Sequence, residues 1–223
     1  MPDHAGTERQ RARRDRILQA TRELVTSVGY EGLTMRELAA RAQVSPTTLY
    51  NLYTNKDELL FAAVGDHMSG SLQEARALAP DPGYEQLVRI VEVLGVQVQA
   101  TPEYAEAIAK ALFQAGPEDA LTRLLVLRTS QQCLPSLQAM ADARQLRPGV
   151  RHDRTAHLLV DASWGCMFGW LKGMVPLADL RRELRDLRLS ILMSMAQGEA
   201  RRHMEEWLDS EPENLRPRRR SRA

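Results

Sequence analysis

Residues that build catalytic, metal and disulfide sites are scarce in this chain. Its 223 residues include two cysteines, Cys133 and Cys166, which excludes a disulfide framework and favours a reducing compartment. The sequence has no HExxH motif, no CxxC pair, no nucleophile elbow and no glycine-rich phosphate loop. We therefore expect no catalytic residue, no metal site and no cofactor.

Long apolar runs and strand patterns are also missing. The most apolar window, 158–177, contains Asp161 and Lys172 and is interrupted by Pro176, whereas a bilayer span needs about twenty uninterrupted apolar residues. The N-terminus is polar and has no apolar signal-peptide segment. No segment alternates polar and apolar residues with a period of two. These features predict an all-α protein of the cytoplasm without a membrane partner.

Neither sign of charge dominates, because the formal net charge is +1, so global charge does not indicate a nucleic-acid partner. Two arginine clusters stand out, one at each end of the chain. They are Arg9, Arg11, Arg13, Arg14 and Arg16, and Arg216, Arg218, Arg219, Arg220 and Arg222. The first fits a basic arm on DNA or, alternatively, the solvated start of a helix. The second is interpreted as a disordered, solvated tail, with extra non-specific DNA affinity as the alternative.

Three helix N-caps fall within the stretch 34–60. Thr34 has a glutamate three positions on, which is the spacing of a capping box. Ser45 precedes Pro46, which stands at the first helical position, and Asn55 is the third cap. The caps predict a two-turn helix, a bend, a second short helix and then a longer one. This is a helix-turn-helix, which places its second helix in the major groove of DNA.

The second short helix, over 45–53, has few apolar positions. Leu49 and Tyr53 are one turn apart and are expected to face inward, with Leu52 as a further candidate. Residues able to form hydrogen bonds occupy the other positions: Thr47, Thr48, Tyr50 and Asn51. A polar helix face usually only meets water, but the flanking caps favour a DNA-reading helix.

The segments 29–39 (GYEGLTMRELA), 44–45 (VS) and 48–59 (TLYNLYTNKDEL) resemble the DNA-binding domain of TetR-family repressors. The resemblance extends over about 11–70. It implies a homodimer that binds a palindromic operator in double-stranded DNA and responds to a small-molecule effector. Two residues depart from the family pattern. Gln43 stands where the turn usually has glycine, and Leu52 stands where a phosphate-contacting histidine is common.

The capped short helix and the family pattern together predict the side chains that contact DNA. Thr47, Thr48 and Asn51 are expected to face base edges. Phosphates are expected at Thr34, Ser45, Tyr50 and Lys56. The complete predicted set is Thr34, Arg36, Ser45, Pro46, Thr47, Thr48, Tyr50, Asn51 and Lys56.

The clearest break in the chain is the Pro/Gly-rich stretch 80–83. We therefore predict a three-helix DNA-binding domain over 10–72 and a larger helical ligand-binding and dimerisation domain over 80–200. A basic, disordered tail is predicted over 201–223. The expected fold is all-α with about nine helices, and Pro135 is expected to kink or break one of them.

The last two predicted helices, over 152–175 and 179–198, are candidates for a dimer interface. Gly165, Gly169 and Gly173 recur every four residues, and small residues allow another helix to approach closely. Two helices per subunit would form a four-helix interface across a two-fold axis. The alternative is that the same stripe packs within the chain. The predicted interface residues are Leu158, Ala162, Gly165, Gly169, Gly173, Leu184, Leu187 and Ile191.

Aromatic and methionine side chains lie on the other side of the glycine-bearing helix and on an earlier helix. Such side chains can line an adaptable apolar cavity, or they can simply fill the core. The family resemblance favours a small-molecule site in this region. The candidate ligand-binding residues are Tyr104, Phe113, His157, Trp164, Met167 and Phe168.

Three functions are compatible with the sequence. The leading hypothesis is a homodimeric transcriptional repressor that a small molecule releases from its operator. The second is a constitutive DNA-binding or adaptor protein without a ligand, and the third is an all-helical enzyme. The helix-turn-helix argues against the enzyme, because catalysis does not require it.

Overall fold

The structure, a computed structural model, describes residues 4–114, 116 and 120–210. This part of the chain forms ten α-helices and no β-strand, which confirms the all-α prediction. The helices are α1 (His4–Val28), α2 (Met35–Arg41), α3 (Pro46–Leu52), α4 (Lys56–Leu78), α5 (Tyr84–Ala100), α6 (Pro102–Gln114), α7 (Ala120–Asp142), α8 (His152–Leu171), α9 (Leu180–Met195) and α10 (Gly198–Asp209). None of these helices is both long and apolar enough to cross a membrane.

The helices belong to two compact units. The first unit contains the residues up to Ser69 and those from Glu103 to Leu121; the second contains Gly70–Pro102 and the residues from Thr122 onward. Residues 80–83, where the sequence predicts the domain boundary, connect α4 to α5 and lie inside the second unit.

The first unit has a core of aliphatic side chains from α1, α2, α3, α4 and α6. Its fully buried members include Ile17, Leu18, Leu38, Leu49, Leu59 and Leu60. Each such side chain contributes roughly 1.5–3 kcal/mol relative to exposure. Arg22 of α1 also pairs with Asp66 of α4 at 3.2 Å, so packing and an ion pair hold these two helices together.

The second unit has its own core, built by α5, α7, α8, α9 and α10. The buried cluster includes Leu87, Leu137, Met140, Leu159, Leu189, Leu192 and Met204. None of the buried members of this cluster is aromatic, and Tyr84 and Trp207 are only partly buried against it.

The predicted helix break at Pro135 is absent, since α7 runs without interruption from Ala120 to Asp142. Pro135 lies on the exposed side of α7. Its neighbours Cys133, Ser136 and Leu137 are buried, and their packing holds the helix together across the missing amide.

The prediction of a disordered tail from residue 201 is wrong for the described residues, because α10 extends to Asp209. Ala200 and Met204 of α10 are buried in the core of the second unit. Charged residues lie between them, so the composition of this segment does not reveal that one side of the helix is apolar. The C-terminal arginines, at 216–222, lie outside the described residues.

Candidate nucleic-acid interface

A cap at Thr34 fixes the start of α2. The Glu37 amide donates to Thr34 Oγ1 at 3.2 Å, and the Thr34 hydroxyl donates to the Glu37 carboxylate at 2.7 Å. The usual capping box differs, because there the carboxylate accepts from the cap's backbone amide. The arrangement leaves Arg36 exposed on the first turn of α2.

The turn between α2 and α3 depends on a left-handed residue, Gln43, with φ 55°. The Gln43 amide donates to the Ala40 carbonyl at 3.2 Å, and the Val44 amide donates to the Ala39 carbonyl at 3.0 Å. This pair of bonds is a Schellman motif, in which glycine is the common left-handed residue. Glutamine in this conformation costs about 1 kcal/mol relative to glycine. The turn is nevertheless left-handed at Gln43, where the family resemblance leads one to expect glycine.

α3 buries one side and exposes the other. Leu49 is fully buried, and Tyr53, just beyond the helix, is buried too. Leu52 was a candidate for the inner side, but 47% of its surface is exposed. The other exposed side chains of α3 are Pro46, Thr47, Tyr50 and Asn51. The exposed side is therefore mainly polar.

Ser45 and Thr48 form the cap of α3. The Ser45 hydroxyl oxygen accepts from the Thr48 amide at 3.0 Å, and the two hydroxyl oxygens are 2.8 Å apart. Both hydroxyl groups therefore use part of their hydrogen-bonding capacity within the cap. Thr47 and Asn51 are four positions apart on the exposed side, so their side chains are neighbours there.

The start of α4 carries a cation held by an aromatic ring. The Asn55 side chain caps α4 by accepting from the Glu58 amide at 2.8 Å. The Lys56 ammonium lies 4.4 Å from the centroid of the Tyr30 ring and donates to the Tyr30 carbonyl at 3.4 Å. This cation–π contact positions Lys56 beside a helix N-terminus, a place that favours an anion.

Tyr30 is a residue that sequence reasoning missed. It precedes Lys56 by 26 positions, and local spacing cannot reveal a contact over that distance.

The N-terminal arginines belong to α1, because this helix begins at His4. Arg9, Arg11, Arg14 and Arg16 are exposed. Further along α1, Glu23 pairs with Arg41 of α2 at 2.7 Å. Hydrogen bonds from Gln19 and then Arg41 hold the pKa of Glu23 below its usual value.

The predicted dimer residues of α8 do not share one exposed face. Leu158 is 43% exposed, and a Cβ atom added to the exposed Gly165 would meet nothing within 4 Å. Gly169, in contrast, is buried, and an added Cβ would lie 3.2 Å from Cγ2 of Val175. Gly173 lies beyond the end of α8 with φ 73°. The predicted three-glycine stripe along one helix is therefore wrong.

The other predicted dimer residues differ in burial as well. Ala162 of α8 and Leu187 and Ile191 of α9 are half-buried, whereas Leu184 is 1% exposed. Gly169 and Leu184 thus follow the alternative of packing within the chain. The open part of the predicted interface is the side of α8 around Leu158 and Gly165.

The six predicted ligand-binding residues are divided between the two units. Tyr104 and Phe113 lie on α6 in the first unit, while His157, Trp164, Met167 and Phe168 lie on α8 in the second. Tyr104 is buried and stacks edge-on against His67, with 5.7 Å between ring centroids.

The α8 members of this set vary in their surroundings. Nδ1 of the exposed His157 lies 3.3 Å from the Ser130 hydroxyl. Phe168 is 40% exposed, and the Lys172 ammonium lies 5.6 Å from its ring centroid. Trp164 and Met167 are half-buried.

A cavity of about 490 Å³ lies in the first unit. The end of α1, the start of α4 and α6 line it, and none of the six predicted ligand-binding residues is among its lining residues. The charged residues of its wall are Glu31, Asp57, Glu103, Glu106 and Lys110. Because Lys110 is already paired with Glu106, the excess charge is negative and does not suit an anionic molecule.

Metal and thiol chemistry receive little support from the described residues. They contain no group of three or more His, Cys, Asp or Glu side chains that could hold a metal ion. Burial, with a further effect of Glu183, raises the pKa of the Cys166 thiol to about 11. This thiol is therefore protonated at neutral pH and a poor nucleophile.

Residues 17–63 match the family described as bacterial regulatory proteins, tetR family. The HTH-type transcriptional repressor KstR of Mycolicibacterium smegmatis is 29% identical over 195 residues, covering 84% of this chain and 90% of that protein. The regulator UidR of Escherichia coli K12 is 26% identical over 174 residues, covering 75% of this chain and 85% of that protein.

A solved structure shares the fold. It is the crystal structure of Thermus thermophilus FadR, a TetR-family transcriptional repressor, in complex with lauroyl-CoA. It is 24% identical, covers 83% of this chain and 96% of its own chain, and has a TM-score of 0.66. With the capped helix-turn-helix described above, these findings lead to one conclusion: residues 17–63 form a DNA-binding domain of the tetR family of bacterial regulatory proteins.

Proposed function

We propose that this protein is a homodimeric transcriptional repressor that leaves a palindromic operator when a small molecule binds to it. The observation that carries the proposal is the mainly polar, exposed side of α3, held between the caps at Ser45 and Asn55. In a helix-turn-helix such a side enters the major groove, where hydrogen-bonding side chains distinguish base pairs.

We assign the DNA contacts from the positions of the side chains on and around the exposed side of α3. Thr47 and Asn51 are exposed neighbours and would read base edges, with Thr48 beside them. Thr34, Ser45, Tyr50 and Lys56 would contact phosphates, which set the register of the protein on the duplex. Pro46 would pack against the backbone, and Arg36 with the exposed arginines of α1 would add sequence-independent affinity.

A dimer is supported by the exposed apolar and small residues of α8. Leu158 and Phe168 are 43% and 40% exposed, and Gly165 leaves room for a partner helix. Half-buried Leu187 and Ile191 of α9 would extend the contact. A two-fold dimer presents two α3 helices, which must lie about one DNA turn, ~34 Å, or a multiple of it apart.

Release by a ligand is supported by the relatives and by α4. The FadR relative binds lauroyl-CoA, which makes an amphipathic effector a reasonable class for this chain. Lys56 begins α4, and the last residues of the same helix belong to the second unit. A ligand that favours one state of the second unit would alter operator affinity by a coupling of about 1–3 kcal/mol, roughly 5- to 150-fold.

Selection of bound sequences from random duplex DNA would identify the operator. The selected sites should be palindromic and bound by two subunits. Metabolite mixtures would then be screened for release of the selected duplex. A chain that binds all duplexes equally would refute the repressor, whereas a specific chain that no compound releases would favour a constitutive DNA-binding protein.

A further inference from the structure

Arg188 of α9 is a buried cation where three helices meet in the second unit. Only 4% of its surface is exposed. Its Nη2 donates to the Ser163 hydroxyl of α8 at 2.9 Å, and the buried Cys133 of α7 is close enough to influence the pKa of Arg188. Within the described part of the chain, its buried Nη1 has no hydrogen-bond partner.

Arg188 differs from the neighbouring arginines of α9 in how its charge is paired. Arg181 pairs with Glu92 at 3.2 Å, and Arg185 pairs with Asp186 at 2.8 Å. No ion pair among the described residues includes Arg188. Burial lowers its pKa, with the Cys133 thiol acting in the opposite direction, but an arginine in a protein stays protonated. A buried charge is costly without an opposite charge, so Arg188 lacks its counter-ion.

The surroundings indicate what kind of molecule could supply that counter-ion. Cys133 belongs to a buried cluster that also contains Leu137, Leu159, Leu189 and Leu192. The neutral polar groups that the structure places beside Arg188 are the Ser163 hydroxyl and the Cys133 thiol. An occupant would therefore combine an apolar body with a small anionic head.

We propose that the junction of α7, α8 and α9 at Arg188 is an effector subsite, which binds the carboxylate or phosphate head of an otherwise apolar small molecule. This inference rests on the proposed ligand-released repressor and names the chemistry of its effector. The head group would pair with Nη1 and Nη2 of Arg188 in the forked geometry that guanidinium offers to such anions. The Ser163 hydroxyl, which donates to the Leu159 carbonyl at 2.9 Å, would have to turn from that carbonyl to donate to the same head group.

The burial of Arg188 makes binding dependent on conformation. Its Nη1 is out of reach of solvent, so a head group can enter only if α7 or α8 moves away from α9. An anionic effector therefore prefers an opened packing of the second unit. Such differential affinity is what a ligand needs to shift an equilibrium between two states.

Thermal unfolding of four proteins would test the subsite. They are the native chain, Arg188→Met, Arg188→Gln and the control Arg182→Met, in which an arginine that is 58% exposed on the same helix is replaced. Decanoate and decyl phosphate supply the two head groups on one apolar body, and decan-1-ol supplies that body without charge. Without a probe, Arg188→Met should unfold about 2–4 °C higher than the native chain, because an uncompensated buried charge is gone.

With a probe, decanoate, decyl phosphate or both should raise the unfolding temperature of the native chain and of Arg182→Met. Both Arg188 variants should bind these anions at least about tenfold more weakly, and decan-1-ol should act equally on all four proteins. Lower unfolding temperatures for both Arg188 variants without a probe would instead show a structural arginine. Anions that stabilise all four proteins equally, or none of them, would also overturn the subsite.

Operator binding separates this inference from the proposed function. If the anions depend on Arg188 for binding but leave the operator complex intact, the subsite stands and ligand release is refuted. If an effector releases the native chain and Arg188→Met equally well, ligand release stands and the subsite is refuted.

Discussion

Gly95 of α5 lies directly against the backbone of Arg181 on α9. A Cβ atom added to Gly95 would be 2.7 Å from Cα of Arg181 and 2.8 Å from its Cβ, closer than such atoms can approach. Nearby, fully buried Glu92 accepts from Arg181 at 3.2 Å and from Arg89 at 2.7 Å. The absence of a side chain at Gly95 therefore allows the close crossing at which this buried ion triad forms.

Gly95→Ala should lower the free energy of unfolding by about 1–3 kcal/mol, the usual cost of overpacking a core. The backbone atoms that an added methyl group meets cannot rotate away. Gly83→Ala is the matched control, since it adds the same group just before α5 at a position where an added Cβ atom meets nothing within 4 Å, and it should change the free energy of unfolding by no more than about 0.5 kcal/mol. Urea unfolding followed by circular dichroism would measure both changes. A neutral Gly95→Ala would mean that α5 and α9 are not in contact at this point.

Asn51→Ala and Lys56→Ala should weaken DNA binding in different ways. Loss of a base contact should cost about 1–3 kcal/mol on the operator and relax specificity. Loss of the Lys56 phosphate contact should weaken all duplexes similarly and reduce the salt slope by about one. Fluorescence anisotropy with operator and random duplexes across a salt series would separate the two. Equal losses on both duplexes for Asn51→Ala would remove it from the base-reading set.

Leu158→Glu should dissociate the dimer, because it places a charge at the centre of the proposed α8 contact. Leu127→Glu is the control: Leu127, on α7, is 46% exposed and lies outside the predicted interface. Sedimentation velocity should show a monomer for Leu158→Glu and a dimer for Leu127→Glu, and the monomer should lose most of its operator affinity. Both variants having the mass of the native protein would exclude this part of α8 from the interface.

Tyr104→Phe should stabilise the protein and alter its alkaline unfolding. Burial raises the pKa of Tyr104 to about 12, and no described residue hydrogen-bonds its hydroxyl. Because the folded state holds this proton more tightly than the unfolded state, the resulting stability is complete below pH 10. It is then lost as the pH rises from about 10 to 12.

Tyr104→Phe should therefore gain about 1 kcal/mol at pH 7 and lose less stability than the native chain above pH 10. The exposed Tyr50→Phe is the control, and its pH profile should follow that of the native chain. Unfolding temperatures measured between pH 7 and pH 11.5 would test both statements. A Tyr104→Phe profile parallel to the native one would show that the phenol titrates as it does in water.

The helices of the DNA-binding part were predictable because their signals are local. The caps at Thr34, Ser45 and Asn55 each involve residues within three or four positions, and the left-handed turn at Gln43 follows from the helix end beside it. Hydrogen bonds at such short separations form in the same way in many folds. For this reason the sequence alone determined the helix-turn-helix and the polar side of α3.

The second unit depended on contacts between residues distant in the chain. Periodicity placed Gly173 on a helix that in fact ends at Leu171, and composition hid α10, whose stability comes from burying Met204. Likewise, the sequence does not distinguish Arg188 from the other arginines of α9, and only the packing of the helices shows that it is buried. Burial and charge pairing are properties of the assembled core, so only the tertiary structure decided which cation lacks a counter-ion.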